Sequence, residues 1–151
     1  MNLIRNPKLR TDRPVSFFAE PEFGPDGKLE QIATVFLANR KCPFACTMCD
    51  LWTNTLDETV PSGHIPMQIE YALAELPNCQ TVKLYNSGNF FDPKAIPIED
   101  HAAIVERVCM FHRIIVENHP KLCGEIVRDF RNRVSNSRLE VAMGLETIHP
   151  E

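Results

Sequence analysis

Three cysteines stand within eight positions of the segment "KCPFACTMCDLW" (residues 41–52): Cys42, Cys46 and Cys49, spaced C-x3-C-x2-C. Thiolates crowded in this way hold soft metals, zinc or an iron–sulfur cluster. A structural zinc site wants four ligands, usually in two pairs. Cys46 and Cys49 make one pair, and His64 in "PSGHIP" is a candidate fourth ligand. Cys79, Cys109 and Cys123 each stand alone and read as small buried hydrophobes. An electron-carrier cluster uses four cysteines, and no fourth follows nearby. The better fit is a [4Fe–4S] cube in which each of three thiolates takes one iron. The fourth iron then keeps an open position where a substrate or cofactor can bind directly. Arg40 and Lys41 flank the triad and could balance an anionic cluster.

Such a loop needs elements to hold it. "QIATVFLA" (31–38) is an apolar, β-branched run that leads straight into the cysteines, and it reads as a buried strand. "PMQIEYALAEL" follows, with Pro66 suited to a first helical turn and Ile69, Ala72, Leu73 and Leu76 on one face. A second strand is expected in "TVKLYNSG" (81–88). A second helix is expected in "PIEDHAAIVERVCMF", with Ile104, Val105, Val108 and Phe111 inward. "RIIVENHP" (113–120) gives a third strand, and Pro120 can open a third helix, "KLCGEIVRDFRNRV". Its stripe is Leu122, Ile126, Phe130 and Val134. "RLEVAMGLET" (138–147) gives a fourth strand.

Four strands alternating with three helices predict an α/β fold with a parallel sheet, built from four βα units. Continuously apolar strands suit a sheet covered on both faces. Each strand ends in polar residues. These are Asn39 and the cysteines; Asn86, Ser87 and Asn89; Glu117, Asn118 and His119; and Glu146. In a barrel or open α/β sheet those ends gather on one rim, where ligands bind. Residues 1–30, rich in Pro, Gly and charge, read as an N-terminal tail or capping segment, and residues 31–151 as the core domain.

The chain has 151 residues, 44% of them hydrophobic and 24% charged, as in an ordinary globular domain. Its longest apolar runs are too short to span a bilayer, and "MNLIRNPKLRTDRP" lacks the apolar core of a signal peptide. The expected location is the cytoplasm, where thiols stay reduced. A net charge of −4 announces no basic field for nucleic acid. Locally basic stretches exist in the tail (Arg5, Lys8, Arg10, Arg13) and in the third helix (Arg128, Arg131, Arg133), where a solvated face is the plainer reading. A closed barrel of this kind takes roughly 200 residues or more. The sequence is therefore expected to be the N-terminal portion of a longer design: a fragment, a truncated gene or half of a split protein.

C-x3-C-x2-C in the loop after the first strand of a βα series resembles the radical S-adenosylmethionine superfamily. "VFLANRKCPFACTMCDLWTNTLDETVPSGHIPMQIEYAL", "KLYNSGNFFDPKAIP" and "VAMGLETIHPE" look like the archaeosine-biosynthesis group within it, the partner subunit of archaeosine synthase. The resemblance covers roughly residues 31–151. It implies a partial (β/α)6 barrel, a [4Fe–4S] cluster on Cys42, Cys46 and Cys49, and S-adenosylmethionine chelated by the fourth iron. It implies cofactor contacts from Asn86, Ser87, Gly88 and Asn89, where relatives carry a motif that holds the methionine amino group. Glu117 and Glu146 would contact the cofactor or a cationic substrate. The implied reaction yields a 5′-deoxyadenosyl radical at the expense of an external electron donor. The implied substrate is a lysine adduct on a deazaguanine base of tRNA, cleaved at a C–N bond, with an archaeosine synthase-like partner. One departure is visible: an aromatic residue often precedes the third cysteine, and here it is Met48. Two other readings compete, a non-catalytic iron–sulfur or zinc module and an inactive truncated remnant.

Overall fold

The structure is a computed structural model and describes residues 8–44 and 46–144. Five strands form one sheet: β1 (Ser16–Phe23), β2 (Leu29–Phe36), β3 (Thr81–Tyr85), β4 (Arg113–Glu117) and β5 (Arg138–Ala142). Helices α1 (His64–Glu75), α2 (His101–Val108) and α3 (Glu125–Arg133) connect the last four. The strand order is β1-β2-β3-β4-β5; β1 runs antiparallel to β2, and every later pair is parallel. The protein is thus α/β with a mostly parallel sheet.

Strand order follows sequence order without a reversal. Right-handed crossovers in that order place every helix on the same face of the sheet. In keeping with this, α1 packs on α2 and α2 on α3. Val82, Leu84, Ile114 and Val116 point into this layer and meet Ile69, Ile104, Val108 and Phe130 in one core. The neighbouring register positions take the other face, and there the sheet is charged. Lys83 pairs with Glu22, and Arg113 pairs with both Glu30 and Glu140. Phe36 and Tyr85 meet edge to face at 5.8 Å nearer the ends of the strands.

The N-terminal segment differs from the expectation of a tail. "SFFAEPEF" is a full edge strand, in register with β2 from Ser16 opposite Phe36 to Phe23 opposite Leu29. Gly27, at φ 75°, turns the hairpin, and the Gly24 N–H donates to the Lys28 carbonyl at 2.7 Å. Pro21 argues against a strand in sequence, but an edge strand can turn the missing N–H outward. The sheet is consequently mixed rather than purely parallel. The third helix also starts late. Pro120 opens a single 3-10 turn (Pro120–Leu122), and α3 begins only at Glu125, after Gly124. Phe130 and Val134 are buried as expected, whereas Leu122 stays outside the core. Glu146 lies outside the described residues.

Candidate functional site

The site is built at the carboxyl ends of β2, β3 and β4. Beyond β2 the chain continues extended: the Leu37 N–H donates to the Tyr85 carbonyl at 2.7 Å. Buried Gln68 on α1 then grips Ala38 on both sides, accepting from its N–H and donating to its carbonyl, each at 2.8 Å. The cysteine loop is pinned at its base by a parallel bridge between Arg40 and Leu56. There the Lys41 N–H donates to Leu56 and the Leu56 N–H donates to Asn39, both at 2.8 Å. Residues between these anchors form a closed excursion. Inside it the Cys49 N–H reaches back to the Cys46 carbonyl at 3.1 Å, and a 3-10 turn spans Leu51–Asn54.

Beyond β3, "NSGN" wraps around one carboxylate. Oε1 of Glu117, at the end of β4, accepts from the Asn86 N–H at 2.7 Å and the Gly88 N–H at 3.2 Å. Between those two donors Ser87 sits at φ 51°, a left-handed conformation that a non-glycine residue adopts at a cost of about 1–3 kcal/mol. The paired hydrogen bonds to Glu117 hold it there. Asn89 turns the other way. Its Oδ1 accepts from the His119 N–H at 2.7 Å, and its Nδ2 donates to the Cys42 sulfur at 3.1 Å. His119 in turn stacks its ring on Phe44 of the cysteine loop, with centroids 4.2 Å apart. The ends of three strands are therefore tied together by side chains.

A cavity of about 440 Å³ opens at this junction, within the range of ligand pockets. Cys42, Cys46 and Cys49 all line it. Phe44 and Trp52 supply aromatic walls, Ser87 a hydroxyl, and Arg40, Lys41 and Lys94 cationic groups; Asp92 is the acid among the lining residues. Asn86 is fully buried, and neither its Oδ1 nor its Nδ2 has a hydrogen-bond partner among the described residues. All six cysteines are free.

The expected site residues thus divide. The triad and Ser87 share the cavity, and Asn86 lies buried next to Ser87 in the chain. Asn89 faces Cys42. Oε1 of Glu117 is engaged by backbone N–H groups and shapes the loop. Gly88 packs beside Cys42, where a Cβ would meet the Cys42 Cβ at 3.5 Å, an ordinary contact. Lys94, Asp92, Phe44 and His119 were not singled out as ligand contacts in the sequence. For Asp92 and Lys94 the available signal was that "FFDPKAIP" continues directly from the polar end of the second strand; Phe44 lies within the cysteine segment and His119 among the polar strand ends. Among the described residues, no three His, Cys, Asp or Glu side chains converge as ligands of a single ion. Cys42, Cys46 and Cys49 share the lining of one cavity.

Comparison with known proteins adds a distant relative. An uncharacterised protein of Methanocaldococcus jannaschii is 20% identical over 153 aligned positions, covering 93% of this chain and 42% of that protein. The chain spans less than half the length of the relative it matches. No protein-family profile matches the chain, and no solved structure does. Among the described residues, no helix is long and apolar enough to cross a membrane.

Proposed function

We propose that the chain carries the cluster-binding part of a radical S-adenosylmethionine enzyme. The observation that carries this reading is that the thiols of Cys42, Cys46 and Cys49 line one cavity at the carboxyl end of a parallel sheet. A mononuclear zinc site needs ligands converging on one point. A cube would take each thiolate on a different iron, and three cysteines lining one cavity support that reading. The unbroken strand order, with helices on one face, is also what the first units of a (β/α)6 barrel require.

Cys42, Cys46 and Cys49 would hold a [4Fe–4S] cluster. The chemistry this group supplies when bound is one-electron reductive cleavage of S-adenosylmethionine to a 5′-deoxyadenosyl radical, fed by an external donor. The chain's own residues bind and orient. Ser87, which lines the cavity, would take a polar group of the cofactor, and Asn86, buried beside it, is retained as a candidate contact from the resemblance. Arg40, Lys94 and Lys41, the last paired with Asp57 at 3.0 Å, would help balance the negative charge of the cluster and of a carboxylate. Phe44 and Trp52 supply apolar walls beside the sulfurs. Glu117 acts through the loop it braces, and Glu146 is retained as a candidate contact to cofactor or substrate. The substrate proposed from the resemblance is a lysine-modified deazaguanine base in tRNA, with an archaeosine synthase-like partner subunit, in the cytoplasm.

The test is anaerobic reconstitution with iron and sulfide, followed by reduction and addition of S-adenosylmethionine. The reduced cluster is expected to change its electron paramagnetic resonance spectrum when S-adenosylmethionine binds the open iron. A loaded cluster whose spectrum ignores it points instead to a non-catalytic iron–sulfur module.

A further inference from the structure

Asn89 lay in the segment expected to contact the cofactor, but its side chain is committed elsewhere. Both ends of its amide are fixed by geometry. The His119 backbone N–H can only donate, so the atom 2.7 Å from it is the carbonyl oxygen. The amide nitrogen is then the atom 3.1 Å from the Cys42 sulfur, with no ambiguity of a flipped amide. The side chain is 2% exposed, so water does not compete for this N–H. The Phe44 N–H adds a second, longer contact to the same sulfur at 3.4 Å. Among the described residues Cys42 is the triad member whose sulfur accepts hydrogen bonds. Cys46, by contrast, is exposed.

We propose that Asn89 is a positioning residue that hydrogen-bonds the Cys42 ligand and raises the reduction potential of the cluster held through it. This rests on the cluster reading above. The physical cause is local. An N–H dipole aimed at a ligating sulfur withdraws part of the charge that the sulfur donates to iron. The reduced cluster, which carries one more negative charge, gains more from this than the oxidised one. Hydrogen bonds to ligand sulfurs are among the recognised determinants of cluster potential. The redox step concerned is simple: [4Fe–4S]2+ takes one electron from an external titrant to give [4Fe–4S]+, with no bond made or broken. Asn89 also links the ends of three strands, since it joins the cysteine loop after β2 to the start of the loop after β4. The ligand and the brace that orients it are thus one hydrogen-bonded unit.

The experiment is a potentiometric titration of the reconstituted chain, read by paramagnetic resonance without S-adenosylmethionine. Asn89→Leu keeps the approximate shape, stays neutral and removes the donor; Asn89→Ser is a second neutral variant, too short to reach the sulfur. Both are expected to retain the cluster and to shift its midpoint to more negative potential. Asn118→Leu serves as the structural control. It is neutral, like the Asn89 variants, and removes the hydrogen bonds to Phe91, His119 and Cys123 without touching Cys42. Its midpoint is expected to match wild type. Neutral Asn89 variants that load and titrate at the wild-type potential overturn the proposal alone, as does an equal shift in Asn118→Leu. A wild-type chain that takes up no cluster overturns the cluster reading and this inference with it.

Discussion

The candidate chemistry is concentrated in a few side chains, and their tasks separate cleanly. The spacing of Cys42, Cys46 and Cys49, on which the proposed cluster rests, is local, so it can be read from twelve letters of sequence. Asn89 and Glu117 could be marked as polar strand ends and, from the resemblance, as cofactor contacts, but the hydrogen bonds each makes across the strand ends could not be read. The contact that defines Asn89 spans 47 positions, and the one that defines Glu117 spans 31. Glu117 makes a sharp prediction. Glu117→Ala leaves the Asn86 and Gly88 N–H groups without their acceptor, at about 1–3 kcal/mol for each buried unmet donor. Thermal unfolding should show a clear drop in Tm, whereas Glu117→Gln, which keeps an oxygen in place, should lose much less. Equal losses would mean that the charge of Glu117, rather than its reach, holds Ser87 in its left-handed conformation. At the same scale, alanine at any one of the three cysteines should reduce iron retained after reconstitution and desalting to near background. Alanine at Cys79 or Cys109, which lie outside the cavity, should leave it unchanged.

Among the elements, β2 to β5 and the helices after the first two parallel strands were legible because their apolar runs and stripes are long and regular. The hairpin strand β1 was not, because Pro21 and the flanking charges imitate a loop, and only pairing with β2 makes sense of them. The α2–α3 contact carries its own test. His101, at the start of α2, is 4% exposed and packs its ring 5.2 Å from that of Phe130 on α3. Burial holds its pKa below the ordinary histidine value; Arg133 pushes the same way, against Asp100 and Glu99. The folded protein therefore keeps the ring neutral while the unfolded chain takes a proton near pH 6.5. Stability from this site is complete above that pH and declines as pH falls below it, until the folded-state value is passed. Tm measured from pH 8 to pH 5 should fall on the acid side, and His101→Gln should flatten that part of the curve. Removing the partner ring is more severe: Phe130→Ala should cost about 3–5 kcal/mol by denaturant titration, the usual loss for a buried phenylalanine.

For the whole molecule, the decisive feature is the order of the sheet. Sequential parallel strands place the helices on one side and leave the other side lined by ion pairs, Lys83 with Glu22 and Arg113 with Glu30 and Glu140. That face is polar where an open, doubly covered sheet would be apolar. Sequence showed the alternation of strands and helices but not this polarity, because each strand contributes only one or two of the charges. The relative is more than twice as long as the aligned part, so the reaction assigned to this chain stands as a proposal about what the cysteine cavity does. The most direct test is formation of 5′-deoxyadenosine by the reconstituted chain with S-adenosylmethionine and a low-potential reductant. The account predicts product from wild type and none from Cys42→Ala. A wild-type chain with a fully loaded, reducible cluster and no 5′-deoxyadenosine would contradict it.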